Sequence, residues 1–163
     1  MVRGQWDLRD NVQAYLGGVE FAGKSVLEIG PASGFLSYHM EHRGARVTAI
    51  EPSLERLWDC VPMPGIDFDA WRQAFFASIQ RVRNSFWYLH RQYGSSVRVV
   101  ETDPETLPVE VGEFDVGVFA SVLLHCRSPF SVLEGCLAQV EQLACIKSIG
   151  DISMVLNLSG GEL

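Results

Sequence analysis

The feature that most constrains this chain is the regular alternation of short apolar segments with helix-forming segments. Five segments rich in β-branched and aliphatic residues predict β-strands, at residues 25–30, 46–51, 97–102, 114–121 and 143–149. Residues 35–43 and 129–143 have the composition of helices. Strands that are apolar throughout and alternate with helices are typical of a parallel sheet covered on both faces. The predicted fold class is therefore α/β, a doubly wound and mostly parallel sheet.

One predicted helix is much longer than the others. Apolar residues recur at steps of three and four between positions 68 and 93, which is the spacing of one helix face, and Gly94 is placed to end the helix. At 1.5 Å per residue this helix would be roughly 39 Å long. It carries four arginines against one aspartate, and we expect its aromatic residues to lie in the core. Residues 60–94 are predicted to form a long helical insertion, preceded by a short helix at 53–59.

Composition limits the number of domains and the class of protein. A chain of 163 residues is the length of one domain, and 47% apolar with 20% charged residues is usual for a globular protein. The net charge of −7 excludes a uniformly basic surface for nucleic acid. The longest uncharged apolar run, residues 116–124, is too short to cross a bilayer, and the N-terminus lacks the apolar segment of a signal peptide. The four cysteines form no C-x-x-C pair, so we expect reduced thiols, a cytoplasmic location and no membrane partner.

The segment VLEIGPASGFLS carries the strongest functional signal. It predicts a strand that ends near Gly30 and a helix that begins near Gly34, with Pro31, Ala32 and Ser33 in the loop between them. Glycines let a ligand approach the backbone, and a helix N-terminus offers unpaired N–H groups. Ligands of open α/β sheets bind at this position, beyond the carboxyl ends of the strands. The two glycines could instead serve only the turn and the helix packing of a domain that binds nothing.

Two carboxylates indicate which ligand the loop would take. Glu28 stands two residues before the first glycine, where it would repel a pyrophosphate but suit an ammonium group. Glu51 closes the second predicted strand, with Pro52 after it, and an acidic side chain there accepts hydrogen bonds from both hydroxyls of a ribose. The middle glycine of the dinucleotide fingerprint G-x-G-x-x-G is absent, which disfavours a nicotinamide-dependent oxidoreductase. A ligand with one ribose, an ammonium group and no phosphate matches S-adenosylmethionine. Either carboxylate could instead be a solvated strand end or a helix cap.

The pattern E-x-G-x-x-x-G, followed by an acidic residue at the end of the next strand, resembles the class I S-adenosylmethionine-dependent methyltransferases. Three further segments agree in order: DPETLP after the third strand, FDV in the fourth, and SVLLH beyond it. The run LLHCRSPFSVL is similar to one in the branch of tRNA wobble-uridine methyltransferases, with Ser128 in place of the usual acidic residue. The resemblance covers about residues 20–142. It implies a Rossmann-like sheet, S-adenosylmethionine as cofactor and S-adenosylhomocysteine as product.

The resemblance also implies roles for individual residues. The expected cofactor-binding residues lie in the glycine loop and at strand ends: Glu28, Gly30, Pro31, Ala32, Ser33, Gly34, Glu51, Pro52, Asp103, Pro104 and Ser121. Asp103 would approach the adenine, although it could be an ordinary turn residue. His125 follows the fourth strand, where methyl donor and acceptor would meet, and is the candidate catalytic base; alternatively it hydrogen-bonds the loop backbone. Residues 1–24 would form a helical cover over the cofactor. No metal site is predicted, since His39 and His42 have no third ligand nearby.

The C-terminal segment departs from the family pattern. Domains of this family resemble a seven-stranded sheet, but residues 143–163 suffice only for strand five and one short segment at 152–158, so we expect the usual last strands to be missing. The expected function of this single domain is S-adenosylmethionine-dependent methyl transfer to an unidentified acceptor, either a small molecule or a tRNA. The alternative is cofactor binding without catalysis. An uncovered sheet edge and an overhanging long helix also predict a homodimer.

Overall fold

A computed structural model describes residues 7–54, 63–147 and 153–159 and shows one central sheet. Its strands are β1 (Ser25–Ile29), β2 (Arg46–Glu51), β3 (Arg98–Glu101), β4 (Phe114–Ala120), β5 (Val140–Lys147) and β6 (Ser153–Asn157). Their order in the sheet is β3-β2-β1-β4-β5-β6. The first five strands are parallel, and β6 runs antiparallel to β5. The predicted mostly parallel, Rossmann-like sheet is confirmed.

Helices connect the strands on both faces of the sheet. The helices in the described part of the chain are α1 (Val12–Tyr15), α2 (Phe35–His42), α3 (Phe68–Tyr93) and α4 (Pro129–Leu137). Short 3₁₀ turns occupy Pro104–Thr106, Val109–Val111 and Leu123–His125. No helix among the described residues has the length and apolar character needed to cross a membrane.

Two apolar clusters explain why the strand segments are apolar throughout. One cluster includes Met40 of α2 and Phe86 of α3, and the other includes Cys136 of α4. Neighbouring residues of β1 divide between them, with Val26 in the first cluster and Leu27 in the second, as side-chain alternation along a strand requires. The central strand is thus buried on both faces.

Helix α3 confirms the predicted long helix but not its predicted burial. The Asp67 carboxylate accepts a hydrogen bond from the Ala70 N–H at 3.0 Å and caps the start, and Gly94 ends the helix in a left-handed conformation. Phe86 is the one buried residue of the helix, whereas Tyr93 is 66% exposed. The expectation that all its aromatic residues lie in the core is wrong. A helix of 26 residues is about twice as long as the neighbouring strands, so much of its apolar face extends past the sheet.

The boundary between α4 and β5 also differs from the prediction. The sequence predicts a helix to residue 143 and a strand from there, but α4 ends at Leu137 and β5 begins at Val140. Gln139 lies at the break, and its side-chain amide donates to the carbonyls of Leu107 and Pro108 at 3.0 and 3.2 Å. A short apolar run fits a buried helix and a buried strand equally well, so its pattern alone does not locate this boundary.

The C-terminal segment forms the antiparallel edge strand. Its backbone pairing joins Leu143 to Asn157, so part of the predicted segment at 152–158 is a strand. Met154 and Val155 are 47% and 39% exposed, which leaves apolar surface on this edge. The predicted short helix at 53–59 falls mostly outside the described residues.

Candidate functional site

The loop between β1 and α2 lies at the carboxyl edge of the sheet, where the strand order reverses between β1 and β4. Gly30 has a φ of +73°, and its N–H donates to the Ile50 carbonyl at 2.9 Å, which ties the loop to β2. Among the described residues other than glycine, only Ala32 in this loop and Ser121 after β4 have positive φ, at +50° and +58°. Such conformations are strained and cluster at binding sites. Both loops at this edge therefore have the backbone geometry of a ligand site.

Gly34 allows both the turn into α2 and the close packing of α3 against that turn. It opens α2 with a φ of +87°. A Cβ at this position would come within 2.4 Å of the Tyr38 ring and 2.7 Å of the Phe86 ring. The Tyr38 hydroxyl also donates to the Phe86 carbonyl at 2.7 Å, which fastens α3 to α2. Glycine at this position lets α3 lie against the start of α2, and aromatic rings fill the space that a side chain would need.

The end of β2 presents a carboxylate that is already paired. Arg83 of α3 places Nη2 3.1 Å and Nε 3.3 Å from Oε1 of Glu51. The same guanidinium lies 3.4 Å from the Glu101 carboxylate and donates to the Pro52 carbonyl. Burial raises the pKa of Glu51, and the Arg83 guanidinium opposes that rise. Arg83 thus binds the carboxylate that the sequence assigns to a ribose.

A cleft of about 140 Å³ opens between the glycine loop, the ends of β2 and β3, and α3. Its walls combine loop backbone, two acidic side chains and one face of α3, formed by Pro31, Ala32, Glu51, Arg83, Phe86, Trp87, Val99 and Glu101. Most ligand pockets have volumes of roughly 300–1,000 Å³, so this one is narrow. A ribose that bound Glu51 would compete with Arg83, whose two hydrogen bonds both go to Oε1 of this carboxylate.

Glu28 lies beneath the loop rather than in the cleft wall. It is 2% exposed, and the Ser37 hydroxyl of α2 donates to its Oε2 at 2.5 Å. Burial raises the pKa of Glu28 to about 7, while the Ser37 hydrogen bond opposes that rise. From this position Glu28 can orient the loop and the start of α2, but only indirectly a ligand.

The β4–β5 side of the same edge carries hydroxyl groups and a cation. The Tyr15 hydroxyl lies 3.0 Å from the Ser121 hydroxyl, and the Ser121 N–H donates to the Lys147 carbonyl at 2.9 Å. Lys147 is 8% exposed, and its Nζ lies 5.4 Å from the centre of the Tyr15 ring. His125 is half-buried in the 3₁₀ turn beyond β4, and burial lowers its pKa. A neutral imidazole at this position can accept a proton.

Asp103 and Pro104 lie where the segment after β3 packs on α4. The Asp103 carboxylate accepts a hydrogen bond from the Glu105 N–H at 2.9 Å and caps the 3₁₀ turn. Pro104 is buried, and its carbonyl accepts from the Cys136 thiol at 3.3 Å. Neither residue lines the cleft, and their predicted approach to an adenine stays a prediction.

The structure therefore does not bring all the predicted site residues together. Pro31, Ala32 and Glu51 share the cleft, whereas Ser121 and His125 lie on the β4 side. Sequence reasoning missed the cleft wall from α3. The spacing of positions 83, 86 and 87 shows that they share a helix face, but not that this face covers the glycine loop. Within the described ranges, no three His, Cys, Asp or Glu side chains are grouped as metal ligands would be.

Solved structures with the same fold include proteins that bind S-adenosyl compounds. The N-terminal domain of EvdMO1 with SAH bound is 21% identical, with a TM-score of 0.57 over 88% of this chain and 49% of that one. Magnesium protoporphyrin IX methyltransferase (ChlM) from Synechocystis PCC 6803 with bound SAM is 15% identical, with a TM-score of 0.57 over 84% and 55%. The [4+2]-cyclase SpnF is 15% identical, with a TM-score of 0.58 over 90% and 47%. The chain spans about half the length of these proteins, and at such identities the likeness shows the fold alone. No curated protein matches the chain by sequence.

The family is shown by the sequence itself. Residues 27–142, more than two thirds of the chain, match the methyltransferase domain family. The matched span starts within β1 and ends within β5, so it includes the glycine loop, Glu51 and His125. Nothing in this match distinguishes the tRNA wobble-uridine branch, which stays a prediction. The chain belongs to the methyltransferase domain family and has the fold of the class I S-adenosylmethionine-dependent methyltransferases.

Proposed function

We propose that this chain binds S-adenosylmethionine beside the glycine loop and transfers its methyl group to an acceptor at the β4–β5 side of the edge. The observation that carries the proposal is the position of Glu51. Its carboxylate lies at the end of β2 and lines the same cleft as Pro31 and Ala32 of the glycine loop. A carboxylate there suits two neighbouring ribose hydroxyls. The family match and the neighbours crystallised with SAM or SAH support the same cofactor.

The residues of the cleft fit this cofactor. S-adenosylmethionine supplies an activated methyl group on a sulfonium whose leaving group is a neutral thioether, so the protein has mainly to align donor and acceptor. Glu51 would hold the ribose once Arg83 leaves it, and Trp87, which is 47% exposed, offers a ring face to the adenine. His125 would accept the proton that an oxygen or nitrogen acceptor loses.

The proposal also includes the methyl acceptor, the oligomeric state and the cellular compartment. We favour a small molecule, with a tRNA base as the alternative that the exposed Arg72, Arg81 and Arg91 of α3 would support. The half-exposed apolar face of α3 supports a homodimer. The free thiols of Cys136 and Cys145 agree with a reducing compartment such as the cytoplasm.

Binding without methyl transfer is the second candidate function. Arg83 forms an ion pair with Glu51, and a cyclase shares the fold, so neither the pocket nor the fold by itself requires methyl transfer. Under this alternative the same cleft binds the cofactor, and His125 has no part in a reaction.

Titration calorimetry with S-adenosylmethionine and S-adenosylhomocysteine tests the proposal. We expect Glu51→Ala to weaken both ligands by about tenfold to a hundredfold, because a charge-assisted pair with the ribose is lost. Glu110→Ala, at an exposed position away from the cleft, is the matched control and should bind normally. Failure of the wild-type protein to bind either ligand would contradict the proposal. Binding with no S-adenosylhomocysteine formed from tRNA or metabolite mixtures would favour the second candidate.

A further inference from the structure

Two carboxylates at the ends of neighbouring strands share one arginine. Backbone pairing makes Glu51 of β2 the partner of Glu101 of β3, so the two residues lie side by side. Neighbouring strands are about 4.8 Å apart, and like charges at such a separation repel each other. The Arg83 guanidinium lies 3.1 Å from Glu51 and 3.4 Å from Glu101, and all three side chains line the same cleft. The arginine therefore compensates two charges that the pairing of the strands brings together.

The two contacts of Arg83 differ in strength. Its Nη2 and Nε both donate to Oε1 of Glu51, at 3.1 and 3.3 Å, and the Glu51 side chain is 19% exposed. Glu101 accepts a single hydrogen bond, from Nη1 at 3.4 Å, and its side chain is 60% exposed. Most N–H···O hydrogen bonds are roughly 2.7–3.2 Å long, and exposed ion pairs contribute little to stability. Glu51 is thus the main partner of Arg83, and Glu101 is a weaker partner within reach.

The position of Arg83 makes it costly for this residue to lose Glu51 without gaining another partner. Its side chain is only 16% exposed, and Phe86, on the same side of α3, packs against Tyr38 and holds this part of the helix in place. Removing one partner of a buried ion pair is strongly destabilising, because the remaining charge is left uncompensated. The guanidinium also donates to the Pro52 carbonyl, a contact that does not neutralise its charge. A ligand that takes Glu51 therefore requires a second anion for Arg83.

We propose that Glu101 is a positioning residue of the cofactor site, which takes over Arg83 when a ribose binds Glu51. The inference rests on the proposed function, since it requires that Glu51 holds the ribose. Shortening the distance from Nη1 to Glu101 by about half an ångström gives an ordinary charge-assisted hydrogen bond, so a small movement of the guanidinium suffices. Arg83 then stays between the two strand ends, and Glu51 accepts from the ribose hydroxyls. Glu101 lowers the cost of admitting the cofactor without contacting it.

A double-mutant cycle, measured by titration calorimetry with S-adenosylhomocysteine, tests this exchange of partners. Glu101→Gln removes the charge and keeps the size of the side chain, and we expect it to raise the dissociation constant by about fivefold. In the Arg83→Met background the same change should alter the dissociation constant by less than about twofold, because no guanidinium needs a partner. Glu110→Gln, which removes an exposed carboxylate away from the cleft, is the matched control and should bind like the wild type.

A second measurement does not need the Arg83 variant. Adenosine carries both ribose hydroxyls, whereas 2′,3′-dideoxyadenosine has neither and makes no demand on Glu51. Glu101→Gln should weaken adenosine by about fivefold and leave 2′,3′-dideoxyadenosine unchanged. A merely structural role of Glu101 would weaken both nucleosides alike.

Three results would overturn the exchange of partners. Equal weakening of S-adenosylhomocysteine by Glu101→Gln in both backgrounds would mean that Glu101 contacts the cofactor itself. No weakening in either background would mean that Arg83 stays on Oε1 of Glu51 while the ribose binds the other oxygen. In both of these cases the wild-type protein binds the ligand, so the proposed function stands. Failure of the wild-type protein to bind S-adenosylhomocysteine would instead overturn the proposed function and the exchange together.

Discussion

The two sides of the carboxyl edge differ in charge and in what covers them. On the β1–β3 side, Glu51 and Glu101 are acidic, and the long helix α3 supplies Arg83 as their counter-charge. On the β4–β5 side, Lys147 and the Ser121 hydroxyl are covered by the Tyr15 side chain of the four-residue α1. The acidic side pairs its carboxylates with an arginine, whereas the cation on the other side lies over an aromatic ring.

This difference in charge would orient a charged ligand in the site. Complementary potentials orient a charged molecule as it enters a site. We expect a cofactor with a sulfonium and an ammonium group to bind at the acidic side in place of Arg83, and the methyl acceptor to bind at the opposite side. The two reactants would then approach each other across the β1–β4 crevice.

The largest effect we expect comes from removing the ring that holds α3 over the acidic side. Phe86→Ala should lower the free energy of unfolding by about 3–5 kcal/mol, because Phe86 is 3% exposed and packs against Tyr38 with ring centres 5.3 Å apart. Phe130→Ala is the matched control on the other side, since Phe130 is 83% exposed. Urea denaturation of both variants measures the difference. Equal stabilities would show that α3 does not depend on this contact for its position.

A smaller effect concerns Glu28 and the dependence of stability on pH. Burial raises the pKa of Glu28 from 4.5 to about 7, so between these pH values the native state keeps a proton that the unfolded chain has released. The free energy of unfolding should therefore fall as pH rises through this range, by roughly 3 kcal/mol from this group. Glu28→Gln should remove the fall, so that it matches the wild type at pH 4 and is more stable at pH 8.

Denaturation curves at several pH values test this prediction. Glu141→Gln, at an exposed position of β5, should keep the wild-type pH dependence. A wild-type protein whose stability rises from pH 5 to pH 7, with no change in Glu28→Gln, would show that Glu28 is ionised when buried.

The smallest effect concerns the competition for Glu51. Arg83→Met should raise the affinity for S-adenosylhomocysteine by about fivefold, because the ribose no longer has to displace an ion pair with a typical strength of about 1 kcal/mol. S-adenosylhomocysteine carries no net charge, so removing a cation does not by itself attract it. Arg81→Met, on an exposed part of the same helix, should bind like the wild type. Weaker binding by Arg83→Met would mean that Arg83 contacts the ligand rather than competing with it.

The fold could be predicted from the sequence because its signals are local. The apolar strand segments, the glycine after β1 and the cap at Gly94 each act within a few residues, and the predicted limits of β2 agree with the structure. The boundary at Gln139 could not be predicted, because the apolar run there fits a helix and a strand alike, and the hydrogen bond that Gln139 makes joins it to a segment 32 positions earlier in the chain. The burial of α3 also depends on the length of the strands it packs against, which the sequence of the helix does not encode.

Some residues of the candidate site could likewise be predicted from the sequence, and others could not. Glu51 and the glycine loop could be found because strand ends and helix starts recur at fixed places in α/β folds. Arg83 and Lys147 could not be identified as residues of this edge from the sequence. Whether an arginine on a long helix meets solvent or a carboxylate depends on how the helix lies on the sheet, and whether a lysine at a strand end is buried depends on a tyrosine in a distant helix.

The pairing of β1 with β4 affects when the binding edge forms during folding. Asp115 accepts hydrogen bonds from the backbone and the hydroxyl of Ser25 at 2.7 and 2.8 Å, across 90 positions of sequence. Contacts between distant parts of a chain form slowly, because a large loop has to close before they stabilise anything. The glycine loop and β2 can come together early, but the crevice beside them exists only after β4 docks. We expect the site to be among the last parts of the molecule to form during folding, and ligand binding to mark completion of the sheet.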